Sequence, residues 1–103
     1  MGHDGLSSIF AVMFFLQMII KKRHAALVKA LESFKNTYQE LSFKCVRNET
    51  TSINGHNVHF FYEMVISDDA ECEYIREQMN SIKTKQPRIV FEIKDRVLFA
   101  AVL

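Results

Sequence analysis

The run Leu6–Ile20, LSSIFAVMFFLQMII, is apolar around the whole helical wheel and is followed at once by Lys21, Lys22 and Arg23. A helix resting on a soluble domain keeps one polar side, and this stretch has none. At about 1.5 Å per residue, fifteen residues give roughly 22 Å of helix, short of the roughly 30 Å hydrocarbon core of a bilayer. The aliphatic stems of the three basic residues can run along the acyl region while their charges reach the headgroups. A thin or locally thinned bilayer would serve equally. The expectation is a membrane-anchor helix built from Leu6, Ile9, Phe10, Val12, Met13, Phe14, Phe15, Leu16, Met18, Ile19 and Ile20, with Lys21, Lys22 and Arg23 at the lipid headgroups. Residues 1–23 would form the anchor and its basic flank, and residues 24–103 a small α+β domain.

Two other readings of the N-terminus fit less well. A secretory signal carries its positive charge before the apolar run, whereas here it comes after. Myristoylation of Gly2 asks for Ser or Thr at the sixth position, which is Leu6. The remaining competitor is a soluble interaction module whose apolar helix is buried in a homo- or hetero-oligomer, because apolar runs shorter than about 18 residues are often core helices. A chain of 103 residues offers little interior in which to hide such a helix alone.

Downstream, Lys22–Leu41 has no Gly or Pro, so the helix is expected to continue. Leu27, Leu31, Phe34, Tyr38 and Leu41 recur at spacings of four, three, four and three, giving one apolar stripe as an interaction face. It either covers the domain's own sheet or meets a partner. Leu41–Arg47 reads as a strand, and the polar run Asn48–Asn57 as a loop containing an Asn54-Gly55 turn. Val58–Ile66 then alternates, placing Val58, Phe60, Tyr62, Met64 and Ile66 on one face. Asp68, with Glu71 three residues on, opens a helix striped by Cys72, Ile75, Met79 and Ile82 and ending near Lys83. Ile89–Leu103 is β-forming apart from Lys94-Asp95-Arg96, which predicts a second hairpin. The run VLFAAVL suits a central strand covered on both faces, or one covered by a partner. The predicted fold is an apolar helix continuing into an amphipathic one, then ββαββ with a mainly antiparallel four-stranded sheet. In outline this order resembles type IV pilins, but the residues after Gly5 lack that family's acidic fifth position.

The chemistry-bearing residues do not assemble into a catalytic set. His56 and His59, three apart on a strand, point to opposite faces with no accompanying ligand pattern. Cys72 is flanked by Glu71 and Glu73, which oppose thiolate formation, and three glycines leave no phosphate-binding loop. Cys45 and Cys72 read as buried free thiols, too few for a disulfide scaffold. Asp68, Asp69, Glu71 and Glu73 are explained by helix capping. A net charge of +1 with no basic stripe beyond residues 21–23 shows no nucleic-acid footprint in the sequence. The sequence thus predicts no cofactor, no metal and no enzymatic activity. It reads as a single-span, membrane-anchored accessory or assembly subunit whose partners are lipid and a protein or a second copy. The basic flank after the apolar run predicts that residues 21–103 are cytoplasmic.

Overall fold

In the computed structural model of this chain the backbone is described from residue 3 to residue 103, and side chains from residue 11 onward except Ile20. The elements run α1 (His3–Thr37), β1 (Phe43–Ile53), β2 (His56–Val65), α2 (Asp69–Lys85), β3 (Ile89–Lys94) and β4 (Val97–Val102). The four strands form one antiparallel sheet in the order β1-β2-β4-β3. At 1.5 Å per residue the 35 residues of α1 are about 52 Å long, which accounts for overall dimensions of 62 × 26 × 22 Å.

The second half of α1 and the whole of α2 pack on one face of the sheet. Leu27, Leu31, Phe34 and Leu41 are buried with Tyr62, Met64, Ile66, Cys72, Ile75, Met79, Ile89, Leu98 and Ala100 in the main core, and Tyr38 packs against it half-buried. The apolar stripe of α1 therefore covers the sheet of its own domain. Edge-to-face contacts of Tyr74 with Phe34 and Tyr38 join the two helices. The helix stops at Thr37, four residues before the expected Leu41. Asn36 and Thr37 are weak helix formers, the Thr37 hydroxyl donates to the Ser33 carbonyl, and Leu41 tucks into the core from outside the helix.

The first hairpin departs most from the sequence-based expectation. Asn48–Asn57 is not a loop: the ladder continues to Ile53↔His56, and the turn is only Asn54 (φ 52°) and Gly55 (φ 85°). This two-residue geometry with positive φ at both positions is the one Asn-Gly favours. Between Arg47↔Phe60 and Thr51↔Val58, β1 advances four residues while β2 advances two, with Asn48 at φ 64°. Such a bulge bends the strand and increases its twist. Val58 packs not with Phe60, Tyr62 and Met64 but with Ile53, Phe61, Val90 and Ala101 in a second core on the other side of the sheet.

The remaining elements form as their residues dictate. Asp68 caps α2, accepting from the Glu71 N–H at 2.8 Å, while the Glu71 carboxylate accepts from the Ser67 N–H at 3.1 Å. A cap of this kind contributes about 1 kcal/mol. Cys72, Ile75 and Met79 are buried and Ile82 is half-buried. Beyond Lys85 the Gln86 N–H closes on the Ile82 carbonyl just before Pro87. The β3–β4 turn is tighter than its residues favour, with Asp95 at φ 50° and Arg96 at φ 61°. Tertiary contacts hold it: the Ile66 N–H donates to the Arg96 carbonyl at 2.7 Å, and Arg96 Nε donates to Asp69 Oδ1 at 3.0 Å. β4 lies between β2 and β3 and is covered on both faces, with Leu98 and Ala100 in the main core and Ala101 in the second.

Candidate functional site

Among the described residues, most of the exposed large apolar side chains are on α1 before the packed part of the helix begins. Val12 (58%), Met13 (52%), Phe14 (66%), Phe15 (63%), Leu16 (52%) and Met18 (42%) keep these fractions of their surface in contact with solvent. Five consecutive helical residues, at about 100° each, point in every direction around the axis. No side of this segment is therefore hidden against the domain. Ile19 is half-buried, and the side chains of Leu6, Ile9, Phe10 and Ile20 lie outside the described residues. Among the described residues no helix is long and apolar enough to cross a membrane.

The next residues join this helix to the sheet. Lys21 and Lys22 are exposed, Arg23 and His24 half-buried. The His24 ring meets Phe60 of β2 edge-on at 5.4 Å, and the Arg47 guanidinium lies 5.2 Å from the centre of the same ring. Phe60 thus seats the start of the packed half of α1, with Arg47 positioned for a cation–π contact.

A second surface lies on the sheet face away from the helices. Ser42, Phe43, Lys44, Glu63, Val65, Val97 and Phe99 line an open groove of about 360 Å³. Val65 is 67% exposed there, and the groove is edged by the Lys44–Glu63 ion pair at 3.1 Å. It is a shallow apolar patch without convergent polar groups, and its residues suit contact rather than chemistry.

The candidate reactive groups stay apart. His59 Nδ1 shares a hydrogen bond with Thr50 Oγ1 at 2.9 Å, and no group of three metal-ligating side chains occurs among the described residues. Both cysteines are free, but Cys45 is exposed, contrary to the expectation of two buried thiols. As part of an edge strand, Cys45 has no neighbouring strand to cover its outer flank. Burial pushes the Cys72 thiol above its ordinary value, and the charge that adds most in the same direction is Asp69, not the adjacent Glu71 or Glu73. A thiol held protonated in this way is a poor nucleophile.

Glu71 is the one buried charged side chain among the described residues. Its carboxyl is pushed above 4.5, first by desolvation and then by the neighbouring Glu40 carboxyl, against the opposing Ser67 N–H. As pH rises from about 4.5 through this raised value, the folded state binds more protons than the unfolded one, so this group lowers stability progressively and then levels off. Glu71→Gln keeps an acceptor for Ser67 and removes the titration. Its stability relative to the parent should climb across that window and stay constant above it, as measured by urea unfolding at successive pH values. A difference independent of pH would show that Glu71 does not titrate abnormally.

The chain matches no family model, no curated protein and no solved structure.

Proposed function

We propose that the apolar half of α1 anchors this protein in a membrane as a single-span accessory or assembly subunit without enzymatic activity, and that the α+β domain presents its surfaces to a partner at that membrane. The observation that carries the reading is the exposure of Val12, Met13, Phe14, Phe15, Leu16 and Met18 around the whole helix. Contiguous apolar surface of this extent marks a membrane or protein contact. Among the described residues the groove at Val65 and Phe99 gathers no convergent polar groups, which supports a non-catalytic role, and it is the patch the domain offers to a protein. Extraction of membranes with alkaline carbonate is expected to leave the full-length protein in the pellet; its release into the supernatant would overturn the anchor.

The alternative is a module that buries the same helix against a second copy or another protein, and the shortness of the apolar segment favours it. In detergent-free buffer that module elutes as a defined oligomer, whereas an anchored protein aggregates unless detergent is added.

In the anchored reading the positive charge after the apolar run assigns residues 21–103 to the cytoplasm. Cys45 is the reporter for this orientation, since it is exposed and Cys72 is not. A membrane-impermeant maleimide added to intact cells should leave Cys45 unlabelled, and the Asn48-Glu49-Thr50 sequon should carry no glycan. Labelling from outside would reverse the orientation without removing the anchor.

A further inference from the structure

The domain is electrically polarised along α1, and its basic end is the one from which the apolar helix emerges. Residues scattered through the sequence meet there. The row Cys45, Tyr62, Ala100 and Phe91 crosses the whole sheet, and two residues beyond it towards that end Arg47 pairs with Phe60 and Val102 with Ile89. Arg47 and Arg88 are therefore both displaced from that row towards the same end of the sheet, and the Arg88 carbonyl accepts from the Leu103 N–H at 2.8 Å. His24, directly after Lys21, Lys22 and Arg23, meets Phe60 edge-on beside Arg47. The C-terminal end of α2 reaches this level too, because Lys85 and Gln86 line a groove with Ala26 and Lys29 of α1.

The opposite end holds the acidic start of α2, Asp68 and Asp69, together with Glu40 and Asp95. The four ion pairs among the described residues use Lys44, Arg76, Lys94 and Arg96. Lys21, Lys22, Arg23, Arg47, Lys85 and Arg88 take part in none of them. Glu49, on the β1 bulge, is one carboxylate near this basic end.

We propose that this end of the domain is a docking surface for anionic lipid headgroups, with Arg47, Lys85 and Arg88 extending the contact begun by Lys21, Lys22 and Arg23. The inference rests on the anchor reading for its geometry: a helix entering the bilayer brings the surface around its base against the headgroups. Unpaired cations there meet the negative potential of an anionic leaflet, which falls off within about a Debye length, roughly 8–10 Å. The domain would then lie down on an anionic membrane and swing free above a neutral one, with its acidic end and the Val65–Phe99 groove turned towards a partner.

The test uses the full chain reconstituted into vesicles of phosphatidylcholine, alone or mixed equally with phosphatidylserine. A fluorophore on Cys45, two residues from Arg47, is quenched by lipid carrying a headgroup spin label. Quenching should be strong in the anionic vesicles, fall as salt is added, and be weak in the neutral ones. At about fivefold per basic residue, the triple substitution Arg47→Gln, Lys85→Gln, Arg88→Gln should weaken docking about a hundredfold. Lys35→Gln with Lys94→Gln, outside the basic end, should leave docking unchanged.

Equal quenching in the two vesicle types, or a triple variant that docks like the parent, overturns the proposal. So does a salt-dependent signal that single-stranded RNA produces and anionic vesicles do not. Carbonate-resistant association with the neutral vesicles reports the anchor separately. If that association fails while quenching by anionic vesicles still depends on Arg47, Lys85 and Arg88, the anchor falls and the basic surface stands.

Discussion

Leu31→Ala is expected to destabilise the domain by roughly 3 kcal/mol and to lower its Tm by roughly 10–20 °C. Leu31 is completely buried where α1 crosses the sheet, in one cluster with Leu27, Phe34, Met64, Leu98 and Ala100. Removing its isobutyl group leaves a cavity between a helix and a sheet that are both held by other contacts, so the site cannot collapse to fill it. The loss is a large share of the 5–15 kcal/mol that stabilises a typical domain. Thermal unfolding followed by circular dichroism measures it directly. A shift below about 3 °C, under 1 kcal/mol for a domain of this size, would mean that the second half of α1 is not packed on the sheet. Its apolar stripe would then be free for another molecule.

Phe14→Lys is expected to move the protein from the carbonate-resistant pellet to the supernatant without changing the Tm of the domain. Phe14 lies near the middle of the apolar run and is 66% exposed, so its replacement removes no core contact. A lysine at the centre of a membrane helix costs about 2.5–3.5 kcal/mol, roughly a hundredfold or more in the insertion equilibrium. The run is already short for a bilayer, which leaves little apolar surface to offset that charge. The paired substitution Phe34→Lys places the same charge in the core, and there the fold itself should fail. If Phe14→Lys stays in the pellet, the apolar segment is not what holds the protein at the membrane. If the parent is an oligomer in plain buffer and Phe14→Lys a monomer, the helix is a protein interface.

Local chemistry made much of the domain legible. The Asp68–Glu71 cap, the Asn54-Gly55 turn, the stripes of α1 and α2 and the second hairpin rest on interactions within a few residues of each other, so their spacing alone announces them. The bulge at Asn48 was not legible, because the polar run Asn48–Asn57 carries the composition of a loop. Its pairing is supplied by β2 and by the burial of Ile53 and Val58 on the far side of the sheet. Nor do the residue types of Asp95-Arg96 ask for positive φ at both positions. The two-residue pairing of Lys94 with Val97 imposes it, and contacts to Ile66 and Asp69, some thirty residues earlier, hold it.

By itself the sequence determined the α+β class, the order of helices and strands, and the presence of one stretch too apolar for an ordinary surface helix, because periodicity and hydropathy are properties of neighbours along a chain. Only the tertiary structure decided that the stripe from Leu27 to Leu41 is used within the domain, that Cys45 is exposed while Cys72 is buried, and that β4 is central. It also decided where the charges meet. Arg47, Lys85 and Arg88 belong to three separate segments and form no basic stripe in sequence, and they reach one end of the molecule only because strand register and helix direction carry them there.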